Sequence, residues 1–210
     1  MNDQKIDNIF IYWIYFVSII IIFAYVLESY ELISGIFRDD ISYISTLILF
    51  IFLFYLARGG IHLYKLRDAF RKLNHIDIKI QNNIFFDISS NFLQSSCKDI
   101  TKQDELKSKF YEIVDNGFFI SDILLKLGIV GTVIGFIIML SSLSTIDEMN
   151  LSKMNNLLLS MSGGMKVALY TTLSGLIGSI LLTVQNNFFE NKINAFISEI
   201  INSCHDEKKN

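Results

Sequence analysis

The chain has 210 residues, a formal net charge of −3, and 51% hydrophobic against 19% charged residues. This composition is too apolar for an ordinary soluble domain and predicts an integral membrane protein. The slightly acidic balance, without a long basic run, argues against a nucleic-acid partner and makes the lipid bilayer the expected surroundings.

Residues 1–57 contain two apolar stretches without charged residues. Residues 8–27 supply the roughly 20 apolar positions that a helix needs to cross a bilayer, and we predict the first span there. Its aromatic start, with Tyr12 and Trp13, suits the headgroup boundary. Residues 41–57 are shorter and predict a second span; a membrane-buried hairpin is the alternative. A short acidic loop between the two stretches is predicted to lie outside.

Residues 58–122 hold more than half of the basic residues of the chain. Because Lys and Arg are enriched in cytoplasmic loops, we predict that this region and both termini are cytoplasmic. Apolar residues recur here at helical spacing: Leu63, Leu66, Phe70 and Leu73, then Leu106, Phe110 and Ile113. Residues 188–210 show the same spacing. We predict that these helices continue the spans and pack together beneath the membrane; a lipid-binding or regulatory surface is the alternative.

Residues 123–143 and 166–184, within a predicted domain 123–187, are two further spans that carry small and hydroxylated residues on one face. Small residues at steps of three and four let neighbouring helices approach closely. Gly131 and Gly135 add a GxxxG step, and Gly163 and Gly164 are predicted to form a turn or the start of the last helix. The face is formed by Gly128, Thr132 and Gly135 in the first stretch and by Ala168, Thr172, Gly175 and Ser179 in the second.

Neither of these two stretches contains Asp, Glu or His. They therefore offer no carboxylate or histidine that could bind and release a proton, and if ions cross here, a second polypeptide must supply that group. Thr132 and Thr172 are the polar side chains placed to contact an ion or that missing carboxylate. The alternative is that each hydroxyl bonds to its own backbone carbonyl one turn earlier. The spans offer no paired carboxylates, metal ligands or nucleophile with a base, so we predict no enzyme activity and no metal site.

The runs LGIVGTVIGF at 127–136 and GMKVALYTTLSGLIGSIL at 164–181 resemble the paired channel helices of the MotA/TolQ/ExbB proton channel family. The resemblance implies a stator subunit of a motor in the bacterial cytoplasmic membrane, a homopentamer around a dimer of a single-span partner similar to MotB, ExbD or TolR. The partner's membrane aspartate carries the transported H⁺ or Na⁺, and no cofactor is implied. The family's pore threonines match Thr132 and Thr172, and a small alignment slip exchanges Thr172 with Thr171.

Some features depart from the family pattern or divide its branches. Leu125 stands where members often have a proline, so the helix start is expected to be straighter. Four spans with a cytoplasmic N-terminus resemble MotA, whereas the GTVIG motif resembles ExbB, TolQ and the phage-defence protein ZorA. The process that is powered stays open among flagellar rotation, outer-membrane transport, gliding and defence.

The competing hypothesis is a non-conducting oligomeric membrane scaffold in which the small faces serve packing only. Under either hypothesis five positions are predicted to permit close helix packing: Gly128, Gly131, Gly135, Ala168 and Gly175.

Overall fold

The computed structural model describes residues 3–29, 43–74, 85, 88–89, 100–141 and 151–206. Within these ranges the chain is helical and contains no strand. Four of the helices are long and apolar enough to cross a membrane by length and composition, which confirms the predicted all-α membrane fold. The chain is a multi-pass membrane protein. In chain order the helices are α1 (Asp3–Ser29), α2 (Ile44–Asn74), α3 (Ile100–Ser141) and α4 (Leu151–Asp206).

The last helix, α4, is continuous over 56 residues. Gly163 and Gly164 lie in its interior, so the prediction that they form a turn or the start of the helix is wrong. A glycine inside a helix costs only about 1 kcal/mol relative to alanine, which a helix of this length tolerates. The sequence contains no proline, so every residue keeps the backbone N–H that helix continuation requires.

The described residues fall into two compact units, and each of the four helices contributes to both. Unit 1 comprises Met1–Ser18, Leu56–Phe118 and Thr183–Asn210, and unit 2 comprises Ile19–Tyr55 and Phe119–Leu182. Unit 1 contains the described part of the region rich in basic residues. Unit 2 contains the two stretches that carry the small and hydroxylated residues.

Unit 1 is built around large buried side chains. Phe110 stacks on Phe85 with ring centroids 5.9 Å apart, and its edge meets Phe196 at 5.8 Å. Fully burying one aromatic or aliphatic side chain of this size contributes about 1.5–3 kcal/mol. The packing expected of the amphipathic stripes is present, although Phe70 and Leu73 lie outside the side chains that the structure describes. The core consists of Leu63, Leu66, Ala69, Phe85, Leu106, Phe110, Val114, Phe189, Ile193, Phe196, Ile197 and Ile200.

Unit 2 has many large apolar side chains on its outer surface, and its interior combines small residues with a few large ones such as Leu124 and Val167. Phe50, Phe136 and Leu169 are each more than half exposed, whereas Gly128, Gly135 and Gly175 are buried. Outward-facing large side chains with small residues at the helix contacts are typical of membrane helices.

Candidate ion pathway on the paired helices

In unit 2, α3 and α4 touch backbone to backbone through glycines. Gly128 of α3 lies against Gly175 of α4, where a Cβ on Gly175 would stand 2.8 Å from the Cα of Gly128. Further along, a Cβ on Gly135 would stand 2.8 Å from the Cβ of Ala168. Real Cβ atoms essentially never approach so closely. Neither Gly175 nor Gly135 therefore accepts a side chain unless the helices move apart.

The close contact continues to Gly164, for which the sequence predicts a turn or the start of the last helix. A Cβ on Gly164 would stand 2.8 Å from the Cβ of Met139, whereas a Cβ on the adjacent Gly163 would meet no described atom within 4 Å. As the residue numbers increase along α3, the residues they contact on α4 decrease in number, so the two helices run antiparallel. The four-residue step from Gly164 to Ala168 is the sequence signal that extends this face.

Thr171 fills the space that Gly131 leaves open. It is fully buried, and a Cβ on Gly131 would lie 2.5 Å from the Cβ of Thr171. The Thr171 hydroxyl lies 2.9 Å from the carbonyl oxygen of Val167 and 3.0 Å from that of Ala168, both on its own helix. The Thr171 side chain is thus enclosed between the two helices, and its hydroxyl is satisfied by its own backbone.

Thr172, the next residue, is half-buried and reaches across to α3. Its hydroxyl lies 3.2 Å from the carbonyl oxygen of Ala168 and 3.4 Å from that of Gly128. Thr132 is also half-buried, and its hydroxyl donates to the carbonyl oxygen of Ile129 at 2.5 Å. Each of these threonines thus has a backbone acceptor on its own helix, as in the alternative stated above. Thr172 has, in addition, an acceptor on the neighbouring helix.

Two lysines border this helix pair: Lys126 on α3, and the exposed Lys166 on α4, which lies between Gly164 and Ala168. Lys126 pairs with Asp122 one turn earlier, with Nζ and Oδ2 2.5 Å apart and both side chains more than half exposed. From residue 127 to the end of α3, and from 167 to 189 in α4, the sequence has no Asp, Glu, Lys, Arg or His. Hydroxyls and backbone carbonyls therefore supply the polarity between these two segments.

The contact of Gly128 with Gly175 and the threonines around it lie within a segment that matches a known protein family. Residues 120–202 match the model of the MotA/TolQ/ExbB proton channel family. The match includes the three threonines and the five predicted packing residues, and it confirms the resemblance over this range. The MotA/TolQ/ExbB family is a channel family and not an enzyme family. No curated protein and no solved structure matches the chain.

Proposed function

We propose that the chain is a proton-channel subunit of a motor in the bacterial cytoplasmic membrane. In this proposal five copies surround a dimer of a single-span partner of the MotB, ExbD or TolR kind, whose membrane aspartate carries the ion. The observation that carries the proposal is the Thr172 hydroxyl, within reach of the Gly128 carbonyl. Both residues lie in the family-matched region, in helix segments 127–141 and 167–189 that contain no carboxylate or histidine.

A neutral lining suits a partner aspartate that alternates between charged and protonated forms. A bare charge near the bilayer centre costs at least a few kcal/mol, so the carboxylate needs polar neighbours that shield it from lipid. A fixed opposite charge would hold the ion in place, because conduction requires that binding be weak enough to release it. Hydroxyls provide polarity without a fixed charge.

The geometry supports different roles for the two adjacent threonines. We assign Thr172 and Thr132 to the ion pathway, because each is half-buried and keeps part of its surface accessible in the single chain. Thr171 is the alternative match to the family's second pore threonine. Since its side chain is enclosed against Gly131, we assign it to packing.

The experiment compares two substitutions that remove the same chemical group. The chain is reconstituted in vesicles with a single-span, aspartate-bearing protein from a neighbouring gene, and proton flux is followed with a pH-sensitive dye. We expect flux only when the partner is present. Thr172→Val abolishes it, Thr132→Val reduces it, and Thr171→Val leaves it near the wild-type rate, with assembly unchanged in all three. Full flux in both Thr172→Val and Thr132→Val contradicts the pathway assignment.

The second candidate is the non-conducting scaffold, which the own-helix acceptors of all three threonines favour. It predicts that the threonine variants function normally and that Gly131→Leu or Gly135→Leu abolishes assembly. Absence of flux from a correctly assembled complex with its partner would decide for the scaffold. Repeating the measurement in a sodium gradient at constant pH distinguishes Na⁺ from H⁺.

A further inference from the structure

In unit 1, two consecutive glycines of α2 hold a pair of large side chains from other helices. A Cβ on Gly59 would overlap the side-chain amide of Gln185 from α4, and a Cβ on Gly60 would stand 2.5 Å from the indole of Trp13 from α1. Each glycine costs about 1 kcal/mol relative to alanine in a helix interior. The pair therefore makes room for Gln185 and Trp13 at the expense of helix stability.

Gln185 is buried with an unmet hydrogen-bonding need. The residue is 3% exposed, and its Oε1 has no hydrogen-bond donor among the described residues. A buried acceptor left unpaired costs about 1–3 kcal/mol, and native proteins satisfy nearly all such atoms with protein groups or bound molecules. Oε1 of Gln185 therefore calls for a donor that the described residues do not supply.

A cavity of about 190 Å³ lies beside this amide. One molecule of liquid water occupies roughly 30 Å³, so the space is sufficient for a group larger than a single water. Aromatic rings form most of the wall, and they suit a ligand with an apolar body. The lining residues are Tyr12, Trp13, Phe16, Val184, Gln185 and Phe188.

A cation stands against the same wall. The Nζ of Lys192 lies 5.1 Å from the centroid of the Phe188 ring, whose edge-on partner is Tyr12 at 6.4 Å. Lys192 thus places a positive charge against Phe188, one of the lining residues, and an anionic group at the edge of the cavity would complement it.

Two helices, α1 and α4, line this cavity where their predicted spans begin or end, and α2 contacts Gln185 through Gly59 just after its own span. Gln185 directly follows the predicted span 166–184, Gly59 follows the span 41–57, and Trp13 belongs to the aromatic start of the first span. Tryptophan and tyrosine are enriched at the level of the lipid headgroups. A headgroup is therefore the ligand available at this position.

We propose that this cavity binds the headgroup of an anionic phospholipid that carries a hydroxyl, such as a glycerol headgroup. The hydroxyl donates to Oε1 of Gln185, the phosphate pairs with Lys192, and the rings of Trp13 and Phe188 pack against the carbon atoms between them. The site lies in unit 1 and does not rest on the proposed ion pathway.

Trp13 is the one tryptophan of the sequence, so its fluorescence reports on the cavity directly. The full chain, purified in detergent, is titrated with lipids whose acyl chains are brominated near the headgroup and quench indole fluorescence on contact. Phosphatidylglycerol is compared with phosphatidylmethanol, which has the same charge and no headgroup hydroxyl, and with phosphatidylcholine. We expect phosphatidylglycerol to bind roughly tenfold more tightly than phosphatidylmethanol, the equivalent of one hydrogen bond. Phosphatidylcholine binds more weakly than either.

Two variants separate the two contacts. Gln185→Leu retains the volume and removes Oε1, so the preference for phosphatidylglycerol over phosphatidylmethanol disappears and the preference for anionic lipids remains. Lys192→Met removes the preference for anionic lipids and keeps the preference for phosphatidylglycerol over phosphatidylmethanol. Asn187→Leu, an exposed position on the same helix, serves as the control and keeps both preferences.

Equal affinity of the wild-type chain for phosphatidylglycerol and phosphatidylmethanol would overturn the proposal, because water alone would then satisfy Gln185. This comparison needs no variant, so it stands even if Gln185→Leu does not fold. A Gln185→Leu protein that folds and keeps the tenfold preference would overturn it as well.

Discussion

The two units of the chain differ in the residues that form the main contacts between α3 and α4. In unit 2, the closest approach of these helices is through residues that have almost no side chain, and the backbone of Gly128 touches the backbone of Gly175. In unit 1, the same two helices are joined through large side chains such as Phe110 and Phe196. The contrast lies within single continuous helices, so it is the residue pattern that changes and not the secondary structure.

The contrast follows from what each contact displaces. Lipid tails are as apolar as leucine, so membrane helices gain little from hiding apolar side chains and rely on close van der Waals contact between backbones. Where water is the alternative, each square ångström of buried apolar surface contributes about 25 cal/mol, and large rings are the better choice. Added side-chain volume at the helix contacts should therefore destabilise unit 2, whereas lost side-chain volume should destabilise unit 1.

The largest effect is expected from adding volume to unit 2. In Gly175→Leu the new side chain overlaps the Gly128 backbone, which cannot move aside as a flexible side chain can. We expect α3 and α4 to lose their contact and the purified protein to aggregate or be absent from the membrane fraction, measured by size-exclusion chromatography in detergent. Gly163→Leu, the same substitution at an open position of α4, should behave as wild type. Recovery of normal Gly175→Leu protein would mean that the glycines are not required for pairing.

Removing volume from unit 1 should rank second. Phe110 is fully buried between two other rings, and Phe110→Ala is expected to cost about 3–5 kcal/mol through lost burial and a residual cavity. Thermal unfolding in detergent measures the loss. Phe119→Ala removes the same ring from an exposed position of the same helix and should lower the midpoint little. Equal losses in the two variants would show that Phe110 does not belong to a packed core.

The smallest expected effect gives the sharpest test, because it uses neighbouring residues and a single methyl group. Gly164→Ala pushes against Met139 and should cost about 1–3 kcal/mol, as overpacking does. Gly163→Ala meets open space and should stabilise α4 by up to about 1 kcal/mol, since alanine is the better helix former. Unfolding midpoints of the two variants should therefore shift in opposite directions. A shift of the same sign in both would place the two glycines in equivalent surroundings.

The sequence predicts the number of helices and the presence of a small-residue face, because both depend on local periodicity. The structure adds which small residue meets which, and this depends on the register between helices. Adjacent Thr171 and Thr172 are alike in sequence, yet a helical step of about 100° encloses one and leaves the other half-exposed. Gly164 was misassigned because a glycine pair next to a polar stretch has the composition of a turn.

Contacts between distant segments are the least predictable feature of this chain. The glycines Gly59 and Gly60 stand between an apolar stretch and a basic one, and nothing nearby in the sequence identifies Gln185 or Trp13 as their neighbours. A glycine pair inside an otherwise helical pattern signals close approach by some group, but it does not say which. That information comes from the packing of three helices at once.

The Thr172 hydroxyl has a single hydrogen and two carbonyls within reach, those of Ala168 and Gly128. A rotation about one side-chain bond transfers the hydrogen from one acceptor to the other, so leaving either partner costs little. The lone pairs of the oxygen turn with the hydroxyl, so the negative end of its dipole has no fixed direction. Such a group behaves as a small rotatable dipole that adjusts to a passing charge, as liquid water does, while remaining covalently anchored in an apolar wall.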